Sequence, residues 1–375
     1  MSEAAPSPPS RPGRQTGAAP WPPAVEVHDR VQPIAEEWDD LAERLRAPLF
    51  LRPGWIAAWW RAFGRGRLEI VTLRRSGRLA ALVPMQRRFG QLWSTSNWHT
   101  PTFGMLAADQ AAADELAGTL FARQPAQVCL SFVPGDGCEL ASCRAAAAAA
   151  RYRVLERTLE RSPFLVVDGT WDAYRERLSR NRRKQLGRRR RALEREGRLE
   201  FQIVDGRDHL DDLGPPLEEF FQLEALAWKG AAGTAITSRA ETRRFYTEVG
   251  RWAAERGWFR LAFLRLDGRP LAVHYLLEEG GVLHTVKGGF DPAFARFSPG
   301  MLLLEAVLAH AFEAGLCRVA LLGGDEAYKV TFTKDVEERV RFQAFAPSVA
   351  GAAEWAAFMY GRPLAKRALG ARRRG

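Results

Sequence analysis

The feature that most constrains this chain is that it repeats itself. Residues 68–83 and 260–274 each read as strand, tight turn, strand. Shifted by 191 residues, Leu73, Arg74, Gly77, Arg78 and Ala81 fall on Leu264, Arg265, Gly268, Arg269 and Ala272. Ser76-Gly77 and Asp267-Gly268 are the residue pairs that two-residue hairpins need, because glycine accepts a positive φ without steric cost. A Trp-rich amphipathic helix precedes each hairpin, over 53–63 and 242–256. Helix plus antiparallel hairpin, occurring twice, predicts duplicated domains.

The length of 375 residues accommodates two domains. The expected division is a disordered tail over 1–24, an N-terminal domain over 25–165, a C-terminal domain over 166–350 and a basic tail over 351–375. The first 24 residues lack the apolar core of a signal peptide. No run approaches the roughly 18 unbroken apolar residues of a membrane span. Four cysteines and six histidines are scattered without metal-ligand spacing, so no metal is expected, and a reduced, cytoplasmic setting is. The net charge of +11 favours anionic partners. The 55 basic residues include only six lysines.

In the first half, 127–133 is apolar, 140–151 is an alanine-rich helix and 163–167 a short strand. Between the halves, 171–197 has helical spacing of apolar residues and ends at Gly197. From Arg175 to Arg198 there are 12 basic and 3 acidic residues, a local net of +9. Nucleic acid, anionic lipid and a phosphorylated acceptor are all open as partners of this helix. Its scarcity of aromatics argues against a single-strand binding platform.

Two constellations in the second half can carry chemistry. After a strand over 282–287, Ser298-Pro299-Gly300 opens a helix over 301–314. Ser298 suits an N-cap and Pro299 the first turn, and a helix N-terminus with Arg296 beside it suits a pyrophosphate. A well-capped helix with no ligand has the same pattern. After a buried strand over 317–322 comes Gly323-Gly324-Asp325-Glu326-Ala327-Tyr328-Lys329, where a tyrosine can protonate a leaving thiolate and a carboxylate can accept a proton. The alternative there is a capped turn. His274 and His284, on strands, either face a cleft or are structural.

The ordered set Asn181-Arg182-Arg183-Lys184, Trp228-Lys229-Gly230, Asp267-Gly268 with Ala272, Lys287-Gly288-Gly289-Phe290-Asp291-Pro292, Ser298-Pro299-Gly300 and Gly324-Asp325-Glu326-Ala327-Tyr328-Lys329 resembles one family. It is that of the CelD-type (cellulose-biosynthesis-type) GNAT acetyltransferases, which are similar to the FemABX peptidyltransferases. The resemblance runs from about Val25 to Pro347 and is strongest between Trp171 and Lys329. It implies an α/β (α+β) fold of two tandem GNAT-like domains, each a mixed, mainly antiparallel sheet flanked by helices. It implies acetyl-CoA or another acyl-CoA as donor, with Val286, Lys287, Gly288, Gly289 and Phe290 lining its channel. Arg296, Ser298, Gly300 and Met301 would receive its pyrophosphate, although only Arg296 and Gly300 echo the superfamily's phosphate loop and Pro299 interrupts it. Tyr328 is the expected acid and Asp291 or Glu326 the base, with His274 the next choice. Arg182, Arg183, Lys184, Trp228, Lys229 and Lys329 are expected on the acceptor side.

Three functions follow as expectations. The first is acyl transfer to an anionic or phosphate-bearing precursor of the cell envelope or an exopolysaccharide, in the cytoplasm or at the inner face of the membrane. The second is Fem-like transfer from charged tRNA. The third is a degenerate, non-catalytic binding module at an anionic membrane surface.

Overall fold

The computed structural model describes residues 24–226 and 235–361. Its strands are β1 (Ala24–His28), β2 (Arg67–Arg75), β3 (Arg78–Arg88), β4 (Gln91–Ser94), β5 (Leu106–Ala107), β6 (Gln127–Pro134), β7 (Arg153–Val166), β8 (Leu199–Asp205), β9 (Phe259–Leu266), β10 (Arg269–Glu279), β11 (Val282–Phe290), β12 (Arg318–Ala320) and β13 (Val336–Phe345). They form one sheet in the order β1-β2-β3-β4-β6-β13-β7-β12-β11-β10-β9-β8, with β5 beside β3. The helices are α1 (Ala35–Arg44), α2 (Pro53–Phe63), α3 (Gln110–Ala122), α4 (Cys138–Ala149), α5 (Trp171–Arg177), α6 (Arg180–Glu194), α7 (Gly214–Leu226), α8 (Ala240–Glu255), α9 (Pro299–Glu313) and α10 (Val349–Ala356).

The duplication is physical. Both hairpin turns hold two residues at positive φ, Ser76 and Gly77 at 51° and 76°, Asp267 and Gly268 at 50° and 81°. Such turns match the twist of the flanking strands. Arg74 grips Glu37 of α1 through two nitrogens and donates to the Gly77 carbonyl. Its counterpart Arg265 does the same with Glu219 of α7 and Gly268. Parallel pairing repeats in register as well: Leu92 faces Val128 in β4–β6, and Leu283 faces Val319 in β11–β12, both offset by 191 residues.

The halves are interlocked rather than strung. The last strand, β13, lies between β6 and β7, while the end of β7 pairs with β12. The expected short strand over 163–167 is therefore the end of a 14-residue strand that crosses between the halves. Helices α1, α2, α7 and α8 share one core on one face of the sheet. On the other face, α3 and α4 cover the first half, and α5, α6 and α9 cover the second. The two Trp-rich helices of the repeat, α2 and α8, pack on each other, with Trp55 edge-on to Phe245 at 5.1 Å. Arg52, at the head of α2, is buried and reaches Glu279 of β10 at 2.6 Å and Asp39 at 3.2 Å.

Two local expectations change. The basic stretch is not one helix: Leu178 is extended, and the Ser179 hydroxyl accepts from the Arg182 N–H and starts a second helix. The residues expected to open a basic tail at 351 continue α10, which seats Trp355 on Phe345.

Gly54 and Gly118 separate packing from propensity. A Cβ on Gly54 would lie 2.0 Å from the Trp252 indole nitrogen, so Gly54→Ala is expected to cost about 1–3 kcal/mol through overpacking. Gly118, on the exposed side of α3, has open space around it, so Gly118→Ala is expected to stabilise by about 0.5–1 kcal/mol. Guanidinium unfolding of both variants checks the pair.

Candidate active site

Strands β11 and β12 pair only over Val282–His284 and Arg318–Ala320 and then part. The Thr285 hydroxyl donates to the Leu321 carbonyl at 3.0 Å and lies 3.5 Å from that of Ala320, which fixes the point of separation. Beyond it, β11 runs on through Val286, Lys287, Gly288, Gly289 and Phe290 with only β10 beside it. The register with β10 slips by one residue here, Leu276 opposing Thr285 and Tyr275 opposing Lys287. Val286 is the extra residue of this bulge, and bulges leave backbone groups unpaired. In the first half the equivalent strand, β4, ends after four residues.

The glycines of β11 each admit a close neighbour. A Cβ on Gly288 would meet the His274 ring at 2.7 Å, and one on Gly289 would meet the Glu224 backbone of α7 at 2.5 Å. His274 lies between Ala272 and Leu276, on the face covered by α6 and α9. Lys287 opposes Tyr275, which belongs to the opposite face. The structure thus separates His274 from the charged cluster described below.

Helix α9 begins where β11 ends. Ser298, expected to cap it, is left-handed (φ 51°, ψ 57°), and its side chain makes no capping bond. The preceding 3-10 turn over Pro292–Phe297 puts it there, since its backbone N–H closes that turn on Ala295. The first-half counterpart differs. The Asp109 carboxylate caps α3 by accepting from the Ala112 N–H at 2.7 Å, and the residue 191 positions later is Gly300. The anion-attracting end of α3 is therefore filled by its own chain, whereas that of α9 carries no side-chain cap. A Cβ on Gly300 would lie an ordinary 3.6 Å from the Phe290 ring. Met301 accepts a 3.5 Å contact on its sulfur from Arg189 of α6. Arg296 is exposed, pairs with Glu196 at 3.1 Å and lies over the Phe297 ring.

Asp291 is committed to structure: one oxygen accepts from the Ala293 N–H at 2.9 Å and the other pairs with Arg269 at 2.5 Å. Lys329 is buried, and its ammonium has three partners, the Leu322 carbonyl, the Gly324 carbonyl at 3.3 Å and Glu326 at 2.7 Å. An ammonium has three donors, so Lys329 holds the segment after β12 and has none left for a ligand. Tyr328 beside it is partly exposed. Desolvation of its hydroxyl and then the Glu326 carboxylate push its pKa up, so it stays protonated at neutral pH.

The structure adds Glu160, on β7, which no motif singled out. Gly323 has φ 66°, and a Cβ there would lie 3.0 Å from the Lys329 ammonium and 3.6 Å from a Glu160 oxygen. Burial raises the Glu160 pKa; Lys329 opposes this, Glu326 adds to it, and Arg339 and Lys287 oppose it. Lys287 acts on His99 as well. Burial, then Lys287 and Arg239, lower the His99 pKa to about 3, and its Nδ1 lies 3.1 Å from the Tyr246 hydroxyl. Glu160 and His99 come from the first half, Lys287, Glu326 and Lys329 from the second. A cluster assembled from residues this far apart in sequence leaves no local spacing to read.

A cavity of about 700 Å³ lies on this face at the junction of the halves. Its wall includes Phe50, Ser162, Phe164, His284, Arg318 and Leu322. Of the residues expected as site residues, none lines it. Arg182, Arg183 and Lys184 lie on α6, where Arg182 donates to Gln185 at 3.3 Å. Trp228 and Lys229 lie outside the described residues. Among the described residues, no group of three His, Cys, Asp or Glu side chains is placed to hold a metal, and no helix is long and apolar enough to cross a membrane.

Comparison with known proteins bears on the fold. Residues 180–330 match the acetyltransferase (GNAT) domain family. No curated protein matches the sequence. Among solved structures, the chain is similar to FemX (12% identity, 85% of this chain and 96% of that one, TM-score 0.57). It is also similar to the C-terminal domain of a protein assigned as a lysylphosphatidylglycerol synthetase from Agrobacterium fabrum (16% identity, 88% and 96%, TM-score 0.56). A conserved protein of unknown function from Bacteroides thetaiotaomicron is similar as well (10% identity, 86% and 100%, TM-score 0.55). Residues 180–330 thus carry a GNAT-type acetyltransferase domain, and the chain shares its overall fold with these proteins.

Proposed function

We propose that the protein is an acyl-CoA-dependent acyltransferase whose donor lies in the fork between β11 and β12, with the acceptor arriving from the junction of the halves. The observation that carries this reading is the contrast between the repeats. The second half has a long splayed strand and a helix end without a side-chain cap; the first half has a four-residue strand and a helix end filled by Asp109. The N-terminus of α9, with Gly300 and Met301, would hold the donor's pyrophosphate. The backbone at the Val286 bulge would face the thioester carbonyl and stabilise its developing negative charge.

Glu160 is the base in this reading. Burial makes its carboxylate more basic than an exposed one, which suits proton removal from an amine or hydroxyl. The acceptor atom bonds to the acyl carbon as the C–S bond breaks. The acceptor's proton goes to Glu160, and the departing sulfur takes the Tyr328 proton. Asp291, committed to Arg269 and Ala293, is set aside. An envelope or exopolysaccharide-type precursor remains the acceptor that the CelD-type resemblance suggests.

Helix α6 favours a second reading, transfer from charged tRNA. Arg180, Lys184, Arg188, Arg191 and Arg195 are exposed and recur at helical spacing along one stripe, a cationic surface that suits phosphates. Calorimetry with acetyl-CoA, longer acyl-CoAs, and charged and uncharged tRNA separates the two. Saturable acyl-CoA binding that weakens at least roughly tenfold in Gly300→Asp, which places a carboxylate in the first turn of α9, supports the leading reading. Salt-sensitive tRNA binding with no response to any acyl-CoA would replace it.

Glu160→Gln is expected to keep acyl-CoA binding and to lower turnover by about 10²–10⁴-fold. Its stability should also diverge from wild type with pH. Because the folded-state pKa of Glu160 lies above the ordinary 4.5, the folded protein binds that proton more tightly than the unfolded chain. Wild type therefore loses stability relative to the variant as pH rises from about 4.5 through the folded value. Denaturant unfolding across this range checks the sign; parallel curves would remove the buried-base assignment.

A further inference from the structure

The cavity at the junction is unusual in what it leaves without partners. The Ser162 hydroxyl on β7, the His284 Nδ1 on β11 and the Arg318 Nε on β12 are buried atoms with no hydrogen-bond partner in the protein. Ser162 is 5% exposed and His284 8%. The three strands are neighbours, and Phe164, two residues from Ser162, opposes Ala320, which opposes His284. All three residues line the same cavity. Buried polar groups without partners are costly, and a cluster of them around a cavity marks a place that a ligand completes.

The chemistry of that ligand can be narrowed. Burial, then Arg318, lowers the His284 pKa to about 3, with Arg339 acting the same way and Glu337 opposing, so the imidazole is neutral at physiological pH. The buried and half-buried charged groups of the wall are already matched: Glu337 pairs with Arg318 and, at 2.6 Å, with Arg339, and Glu279 pairs with Arg52 at 2.6 Å, while Glu43 and Arg46 stand exposed at the rim. A free carboxylate or ammonium in the buried part, beside Ser162 and His284, would have to displace one of these pairs. Flat rings are disfavoured as well. The Arg318 guanidinium lies 3.8 Å from the Phe164 ring centroid, and Trp258 has Arg52 at 5.0 Å and Arg256 at 5.1 Å. What is left is a demand for groups that both donate and accept, which hydroxyls do. The volume of about 700 Å³ falls in the range of small-molecule sites.

We propose that this cavity binds a neutral, hydroxyl-rich acceptor of the sugar class, held by Ser162, His284 and Arg318. The assignment deepens the transferase reading and rests on it for the term acceptor. Leu322 lines the cavity and its carbonyl accepts from Lys329, so the sugar sits one residue from the Gly323 position that Glu160 and Lys329 flank.

The test uses the full chain and saturation-transfer NMR with methyl glucoside, N-acetylglucosamine and its disaccharide, against glycine and inorganic phosphate. Acetyl-CoA binding is measured on the same samples by calorimetry. The expected result is saturable sugar binding that weakens at least fivefold in Ser162→Val and in Arg318→Met, each confirmed folded by circular dichroism, with glycine and phosphate failing to compete. Acetyl-CoA binding without binding of any sugar, which would mean that the cavity holds water alone, overturns the pocket assignment and leaves the transferase reading standing. Sugar binding without acetyl-CoA binding supports the pocket and removes the transferase. Competition by glycine or phosphate, or undiminished sugar binding in both variants, overturns it in favour of a charged ligand or another site.

Discussion

Strand β12 pairs with β11 over three residues and then turns away, and the fork between them exists because of that departure. Parallel strands normally continue side by side, since each residue of overlap satisfies backbone groups. Here Thr285 ties β11 to the last carbonyls of β12, and Lys329 takes up the next ones, at Leu322 and Gly324. The separating chain is thus provided with hydrogen bonds of its own, and β11 from Val286 onward has β10 alone as its neighbouring strand. Lys329 is one of six lysines in a chain that otherwise uses arginine. Three separate acceptors converging on a single point suit a compact ammonium and would not suit a planar fork.

The fork belongs to one half of a duplicated fold. The two halves keep the same hairpin, the same arginine-to-helix clamp and the same parallel register, yet their sites have diverged in two places. Asp109 caps α3 with its carboxylate where Ser298 leaves α9 without a side-chain cap, and β4 stops where β11 continues. The first half then contributes structure and surroundings. It supplies α2 to the shared core, Arg52 to a buried ion-pair cluster, and Glu160, His99 and Ser162 to the junction. Breaking a buried pair such as Arg52–Glu279 costs about 3–5 kcal/mol, which ties the geometry of the junction to the stability of the whole molecule.

Much of this was legible in the residues. The hairpins and their 191-residue offset were, because Ser-Gly and Asp-Gly impose local backbone geometry that strand alternation then frames. The proline-led helix start at 298–300 is a local signal, whereas 286–290 are pointed to only by the family resemblance. What stayed hidden is non-local. Nothing in 336–345 says that it enters the sheet between β6 and β7. Glu160 and Ser162 carry no motif, and His284, open in the sequence between a cleft and a structural place, acquires its surroundings only when strands from both halves meet. The capping role expected of Ser298 failed for a local reason, since the 3-10 turn before it rotates its backbone into the left-handed region. The resemblance makes Asp291 a base and puts Lys329 on the acceptor side, but their partners, Arg269 and the carbonyls after β12, commit them to structure.

Hydrogen–deuterium exchange of the full chain with and without saturating acetyl-CoA reads the central claim most directly, because it reports both repeats in one experiment. Slowed exchange over residues 286–290 and 300–303, with 92–96 and 110–113 unchanged, is the result predicted for a donor held in the fork of the second half. Protection confined to the first repeat, or none anywhere at saturation, would contradict it.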